Sequence, residues 1–238
     1  MKKNLFAYLL IFLLCAGGMT LLNSCLKTNN TPAKPAGVVS VLQAAPGAPA
    51  MNLFFNTNNL GSISYGGYGA TPPQTVGNYT ISFVNASTGD TVSQVHDSIG
   101  AAYYSLILYD TTSPAKAMFF QDQYPQPQSQ TDTYVRFLHL SPGTGAVNVF
   151  MDSTELFQGR TFADNLANTD FSRFSTYSQG YHSFVVLNAA NNDTLGKIAN
   201  LPLRAGYAYT VFLQGTSKSS NDSLSVRLNA MPNYQIFQ

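Results

Sequence analysis

One stretch of sequence occurs twice in this chain of 238 residues, and the repetition constrains the fold more than any other feature. Residues 135–152 contain a strand-like run, a Pro-Gly turn and a second strand-like run, and residues 39–56 repeat this order in degenerate form. The other matching segments are 78–85 with 181–188 and 100–108 with 205–213. Because internal repeats indicate duplicated structural units, we predict two tandem copies of one unit.

Short strand patterns fill both copies. Polar and apolar residues alternate from Tyr79 to Phe83, as in a half-buried strand, whereas residues 103–109 are almost continuously apolar, as in a buried strand. The predicted strands cover residues 38–42, 51–55, 79–83, 91–95, 103–109 and 117–120, then 135–140, 147–152, 182–188, 194–198, 208–213 and 223–228. Many short strands with turn signals between them favour a β-sandwich for each copy.

A polar segment separates the two copies. It contains Pro125 and Pro127, which disfavour packing and strand pairing. The predicted ranges are 38–123 for the first domain, 124–132 for a linker and 133–238 for the second domain. We therefore expect a fragment from Thr131 to Gln238 to fold alone, unless the copies exchange the strand at 117–120.

The N-terminus has the features of an export signal. Lys2 and Lys3 precede an apolar run at residues 5–14, which is too short to span a membrane comfortably, and Leu-Asn-Ser-Cys ends the segment at Cys25. We interpret residues 1–24 as a bacterial lipoprotein signal peptide with Cys25 as the lipidated residue. The alternative is a plain secretory signal or a membrane anchor in which Cys25 is incidental.

Cysteine usage and the next residues agree with this interpretation. Cys15 lies inside the signal, so Cys25 is the only mature thiol, and neither a disulfide nor a cysteine-based metal site is expected. Residues 25–37 lack hydrophobic periodicity and are predicted to be a flexible tether.

The composition indicates which partners and location to expect. Charged residues make up 10% of the chain and the net charge is +1, too little basic surface for nucleic acid binding. Acidic residues directly after Cys25 would resemble the surface-export signal of some Bacteroidetes lipoproteins, and none is present. We expect a lipid-anchored protein of the outer membrane, on its periplasmic face or at the cell surface.

The shared pattern resembles the DUF4397 family, whose function is unknown and which is common among secreted and lipid-anchored bacterial proteins, including Bacteroidetes-type lipoproteins. The second copy carries its His-x-Ser-Pro element at 139–142 and its Gly-x-x-Tyr-Thr element at 206–210, whereas the first copy has Gln43 in place of the histidine. Both copies have Asn where the family usually has Asp, at Asn52 and Asn148. The resemblance implies an all-β chain with two tandem immunoglobulin-like β-sandwich domains after the lipoprotein signal segment, and it implies no activity.

His139 is the first candidate for chemistry. Because Gln43 occupies the equivalent position in the first copy, a metal or proton-transfer role would not be shared, whereas a hydrogen bond to a turn would. We therefore predict that His139, with Ser141, Pro142 and Asn148, supports the turn between the first two strands of the copy.

No other pattern predicts catalysis, metal binding or a cofactor. His96 and His182 belong to no motif at metal-ligand spacing, and common hydrolase and phosphate-binding motifs are absent. A longer segment at 152–170 carries oxygen ligands of the kind calcium takes, at a spacing unlike an EF-hand; a solvated loop is the alternative interpretation. These oxygen ligands are Asp152, Glu155, Asp164, Asn165 and Asp170.

Aromatic residues leave a second functional class open. Tyr65, Tyr68, Tyr124, Tyr177 and Tyr181 fall in or beside predicted loops, where tyrosine often contacts sugars and proteins, although the chain has no Trp. Our leading hypothesis is a non-enzymatic cell-envelope lipoprotein that acts as a structural or interaction module for an envelope partner. The alternative is a lipoprotein that binds a carbohydrate or another surface polymer.

Overall fold

The computed structural model describes residues 34–111, 115–217 and 221–236. The strands of the first copy are β1 (Ala36–Gln43), β2 (Met51–Phe55), β3 (Asn58–Ile63), β4 (Tyr68–Ala70), β5 (Gln74–Thr75), β6 (Gly77–Asn85), β7 (Thr91–Ile99), β8 (Tyr103–Tyr109) and β9 (Lys116–Gln121). Those of the second copy are β10 (Asp132–His139), β11 (Val147–Met151), β12 (Thr154–Arg160), β13 (Ser175–Ser178), β14 (Gly180–Asn188), β15 (Thr194–Leu203), β16 (Tyr207–Gln214) and β17 (Arg227–Gln235). Helical structure within these ranges is limited to short 3-10 segments at Asp164–Leu166, Thr169–Ser172 and Asp222–Leu224.

Each copy forms two sheets with the same strand order. The first copy has an outer sheet, β3-β2-β6-β7, and an inner sheet, β4-β1-β8-β9, to which β5 adds on β1. The second copy repeats them as β12-β11-β14-β15 and β13-β10-β16-β17. The central inner pair is parallel in both copies, β1 with β8 and β10 with β16. The prediction of an all-β chain with two tandem domains is confirmed.

Each copy has its own core between its outer and inner sheets. In the first copy, Leu53 and Phe83 of the outer sheet pack against Val39 and Leu106 of the inner sheet. The second core has the same construction and includes Phe137, Val149, Phe184 and Val211. Alternate residues of β2 and β11 enter the cores, as the period of two predicts.

A third core, which we call the shared layer, lies between the two inner sheets. Its buried residues are Leu42, Ala44, Ile107, Tyr109, Met118, Leu138, Leu140, Phe212 and Met231. Every residue of β10 is buried as a result. Pro35–Gln238 accordingly forms a single compact unit of four sheets.

The polar segment between the copies is exposed only in part. Residues 125–131 are exposed, whereas Tyr124 stacks on Phe174 with 4.6 Å between ring centroids. Asp132 accepts hydrogen bonds from the backbone N–H groups of Gln128 and Ser129, at 2.6 and 2.9 Å. Both ends of the segment between the two domains therefore make packing or hydrogen-bond contacts. The predicted ranges of 38–123 for the first domain, 124–132 for the linker and 133–238 for the second domain stay predictions.

Several strands were not predicted. The Gly-rich region after Phe55 contains β3 and β4, and the longer segment at 152–170 contains β12. Most residues of these strands are exposed, and the strands form because β2, β1 and β11 offer them pairing edges. The strand expected at 223–228 is also wrong, because Asp222–Leu224 is a 3-10 segment and β17 starts at Arg227.

The predicted export features lie outside the described residues. They are the signal peptide at 1–24, Cys25 and most of the tether at 25–37. None of the helices in the described ranges is long and apolar enough to cross a membrane.

Candidate functional site

The structure places His139 in a buried turn. Its Nε2 lies 3.1 Å from the carbonyl oxygen of Gly145, and the backbone N–H of Ser141 donates to its Nδ1 at 3.4 Å. These partners require a neutral ring with the proton on Nε2. Burial lowers the pKa of His139, and the bond to Gly145 opposes that effect in part. Both ring nitrogens of His139 are thus engaged in hydrogen bonds that hold the turn.

The other residues of the predicted turn motif also bind backbone groups. The Ser141 hydroxyl donates to the carbonyl oxygen of Gly215 at 2.9 Å, which fastens the turn to the end of β16. Pro142 follows it in the same buried turn. The Asn148 carboxamide oxygen accepts from the N–H of Gly159 at 2.9 Å, which links β11 to β12.

Gln43 of the first copy makes one of the two hydrogen bonds that His139 makes in the second copy. Its Oε1 accepts from the N–H of Ala45 at 2.9 Å, as His139 accepts from the residue two positions ahead. The Nε2 atom of Gln43 is buried and has no hydrogen-bond partner among the described residues. The histidine therefore supports its turn with one bond more than the glutamine does.

The candidate calcium ligands are not brought together. Asp152 binds His182 Nδ1 at 2.6 Å and the N–H of Ser183 at 2.8 Å, and the latter bond contributes most to lowering the pKa of its carboxyl. Asp170 pairs with Arg173 at 2.8 Å. Within the described ranges no three His, Cys, Asp or Glu side chains are placed to hold a metal ion.

The loop tyrosines do not form a common surface. Tyr68 is 49% exposed and pairs with Leu42 at the edge of the first inner sheet, whereas Tyr181 is 77% exposed on β14 of the second outer sheet. Tyr65 lies under the guanidinium of Arg227, 5.1 Å from it. Tyr124 is stacked on Phe174, and Tyr177 is half-buried against the second core.

Sequence reasoning missed a fully buried arginine, Arg136, at the centre of the contact between the copies. It forms an ion pair with Asp122 at 2.7 Å, and both side chains are 0% exposed. It also donates to Ser105 Oγ at 2.5 Å, to Thr210 Oγ1 at 2.9 Å and to the Ser172 carbonyl oxygen at 3.2 Å. The guanidinium thereby connects both inner sheets through one group.

Aromatic rings close this network on both sides. The guanidinium of Arg136 lies 4.3 Å from the ring of Phe174 and 5.1 Å from that of Phe120. Tyr124 donates to Asp122 Oδ2 at 3.3 Å, and burial, followed by the charge of Asp122, raises the pKa of Tyr124. A charged pair this well enclosed interlocks the copies and offers no open position for a ligand.

A second buried arginine shapes the segment at residues 161–174, which we call the bridge segment. Arg160 forms two bonds to Asp164, at 2.7 and 2.8 Å, and lies 4.3 Å from the ring of Phe171. The backbone N–H of Ala163 donates to the carbonyl oxygen of His139 at 2.9 Å. In the first copy, residues 64–67 occupy the equivalent position, so the bridge segment is the main addition in the second copy.

The bridge segment and strand β9 enclose a groove of about 390 Å³. Its lining residues are Ala117, Met118, Phe119, Phe120, Gln121 and Gln123 on one side, and Asn165, Leu166, Thr169, Ser172 and Arg173 on the other. Asn165 is 97% buried; its Nδ2 donates to Ser172 Oγ at 3.3 Å and lies 3.4 Å from Met118 Sδ. Its Oδ1 has no hydrogen-bond partner among the described residues.

The family model for the domain of unknown function DUF4397 matches this chain twice, at residues 37–150 and 133–233. The chain belongs to the DUF4397 family. The two matches together span both copies and share residues 133–150, which contain most of β10 and β11. No curated protein sequence matches the chain.

Solved structures resemble this DUF4397 protein only distantly. One is a family 26 carbohydrate-binding module of Amy13K from Eubacterium rectale, with a TM-score of 0.26 and 11% identity over 85% of this chain and 98% of that one. Another is a family 41 carbohydrate-binding module from streptococcal virulence factors, with a TM-score of 0.25 and 8% identity over 81% and 96% of the two chains. At these TM-scores the similarity carries no argument about function.

The groove lies outside the DUF4397 motif residues. None of its lining side chains belongs to the His-x-Ser-Pro or Tyr-Thr elements. The sequence signal that could have located it is the difference in length between the copies after β3 and β12.

Proposed function

We propose that this protein is a non-enzymatic interaction module of the bacterial cell envelope, tethered through Cys25, which contacts its partner at the groove between β9 and the bridge segment. The groove carries the proposal because it combines an open volume with a buried oxygen, Asn165 Oδ1, that lacks a partner among the described residues. A buried polar atom without a hydrogen bond is costly unless a bound group satisfies it.

The construction of the groove supports this role. Its walls come from different copies, with β9 in the first and the bridge segment in the second. The shared layer and the Arg136 network connect these copies, so the spacing of the walls depends on packed strands. Binding sites that are held by packed elements lose less conformational entropy on binding.

The carbohydrate-binding alternative has less support from the side chains. Sugar recognition commonly uses aromatic rings that stand together on one surface. Tyr68 and Tyr181 are the most exposed tyrosines of the described ranges, and they lie in different sheets of different copies. The chemical nature of the crosslinked product distinguishes a protein partner from a surface polymer.

Site-specific photocrosslinking in cells tests the contact site. A photoreactive amino acid at Leu166, which is 53% exposed on the groove wall, is expected to give a discrete crosslinked product. The matched control places it at Tyr181, which is more exposed and lies on the second outer sheet. Equal products at the two positions, or none at Leu166, would contradict the proposed contact site.

Membrane fractionation tests the proposed tether. Cys25→Ala removes the proposed lipid acceptor, so the variant is expected to leave the membrane fraction while its melting temperature stays unchanged. Ser24→Ala, which keeps Cys25, serves as the control. Retention of Cys25→Ala in the membrane fraction would refute the lipid anchor without affecting the groove.

A further inference from the structure

Strand β9 forms an edge of the first inner sheet, beside the groove. In the described part of the chain it pairs only with β8. The pairing is antiparallel and uninterrupted from Tyr104 with Gln121 to Tyr109 with Lys116. One side of the β9 backbone therefore has no strand partner in the described ranges.

The direction of the free backbone groups follows from one hydrogen bond. The N–H of Asp122 donates to the carbonyl oxygen of Tyr103 at 2.9 Å, so this pair exchanges bonds across the ladder. Hydrogen-bonded and non-bonded pairs alternate in an antiparallel ladder. The backbone groups of Ala117, Phe119 and Gln121 consequently point away from β8, and all three residues line the groove.

The other edge strands carry features that discourage further pairing along their length, whereas β9 has one such feature, Lys116 at its first residue. Strands β3, β7, β12, β15 and β17 have bulges or register shifts against their partners, and Pro202 and Pro232 interrupt β15 and β17. Strands β4, β5 and β13 have two to four residues each. Residues 117–121 contain no proline, charge or bulge. Proteins usually protect a regular apolar edge of this kind.

We propose that an extended, uncharged peptide segment binds in the groove by adding to β9 as a further strand. The proposal rests on the proposed function, in which the groove is the contact site. The outward N–H and C=O groups of Ala117, Phe119 and Gln121 would bond the peptide backbone, as in other cases of strand addition. Asn165, whose Oδ1 has no hydrogen-bond partner among the described residues, lies on the opposite wall of the groove.

The side chains of the groove indicate the sequence pattern of the peptide. Neighbouring strands share a face, so alternate peptide side chains would lie beside Met118 and Phe120 and meet Leu166 on the opposite wall. These positions favour apolar residues. Arg173 is the charged side chain of the lining, and it already pairs with Asp170, which leaves no net charge for an ionic ligand to match.

Amide hydrogen exchange on the free protein tests the open edge without any ligand. The N–H groups of Ala117, Phe119 and Gln121 are expected to exchange at least tenfold faster than those of Met118 and Phe120, which bond to β8. Slow exchange at all five positions would show that the edge is already satisfied. That result would overturn strand addition and leave the groove as a contact site.

Binding of defined peptides then tests the addition itself. Peptides of nine residues are selected on the purified protein from an unbiased random display library and synthesised. Ala117→Pro removes one outward N–H without removing a bond to β8, and Ala117→Ser is the matched control that keeps it. Gln121→Pro and Gln121→Ala form a second pair at an exposed position, in case Ala117→Pro lowers the melting temperature.

Strand addition predicts that each proline variant weakens peptide binding by about tenfold or more, whereas the controls stay within about twofold of the parent protein. Bound peptide should also slow exchange at Ala117, Phe119 and Gln121. A peptide that shifts the resonances of Leu166 but ignores both proline substitutions would overturn strand addition while supporting the groove. Selection of no peptide that contacts the groove would overturn both proposals.

Discussion

The two copies use equivalent positions of the shared layer in different ways. Strand registers align Ser40 of β1 with Arg136 of β10, and Ser105 of β8 with Thr210 of β16. Arg136 reaches across to the first copy, and the N–H of Ser40 bonds the Tyr234 hydroxyl of the second copy at 2.8 Å. The contacts are thus reciprocal, but a guanidinium is present on one side only.

The carboxylate is present on the other side only. Asp122 follows β9 and accepts from Ser105 at 3.1 Å, and Asn233 of β17 accepts from Thr210 at 2.7 Å in the equivalent place. Two second copies packed in this way would bury two arginines without a carboxylate, and two first copies would bury two carboxylates without an arginine. An unpaired buried charge is strongly unfavourable. The comparison indicates that the ion pair selects the pairing of unlike copies.

Replacing Asp122 by the asparagine that the second copy has at the equivalent position should break the ion pair with Arg136. Asp122→Asn leaves Arg136 buried without a counter-charge, and we expect the free energy of unfolding to fall by about 3–5 kcal/mol. Urea denaturation measures the loss. Asp90→Asn, at an exposed position, is the control and should change stability by less than about 0.5 kcal/mol. A comparable small loss for Asp122→Asn would mean that the charge is not enclosed as described.

Removing both charges sharpens the distinction between stability and selection. In Arg136→Met with Asp122→Leu no charge is left unpaired, so we expect the double variant to lose about 2 kcal/mol less than Asp122→Asn. The measurement is the same urea titration. If the double variant is the less stable protein, the pair contributes to stability directly and the selection argument fails.

The smallest expected effect concerns the turns of the two copies. His139→Gln gives the second copy the residue of the first, and it should cost about 1 kcal/mol or less for one exchanged hydrogen bond. Burial holds the pKa of His139 below its ordinary value, so the unfolded chain binds more protons as the pH falls below about 6.5. As the pH falls, the free energy of unfolding of the parent protein therefore decreases, whereas that of His139→Gln lacks this contribution.

Urea unfolding at pH 7.5 and pH 5 tests this sign. The stability difference between the parent and His139→Gln should narrow, or reverse, at the lower pH. A difference that is the same at both values would place the imidazole in contact with solvent. Stabilisation by added metal that disappears in His139→Gln would instead support the metal-binding interpretation of this residue.

The sequence predicted the parts of the fold that depend on local patterns. Strands β2 and β8 were predicted with the bounds that they have, because alternating or continuous apolar residues are flanked there by clear turn residues. Strands β3, β4 and β12 were missed because their few apolar residues stand among polar residues and glycine and show no alternation. They form at the edges of sheets, where pairing with a neighbour compensates for weak propensity.

The shared layer and the groove could not be predicted in the same way. Arg136 lies between two apolar residues of a strand, and its partner Asp122 lies on the far side of the proline-rich segment, so only the packed structure brings them together. Charged residues are seldom buried unless they are paired, and a sequence does not reveal the pair. The groove combines an edge strand of one copy with a segment of the other, and no motif records such a combination.

Cutting the chain between the copies tests the central claim most directly. A protease site placed between Gln126 and Pro127, in the exposed part of the segment, allows cleavage after folding without touching the shared layer. We predict that the cut protein keeps the mass of the intact one in size-exclusion chromatography at micromolar concentration, and that it unfolds in one transition. Halves that separate and melt independently would show that the two sandwiches have only their own cores, and would contradict the account.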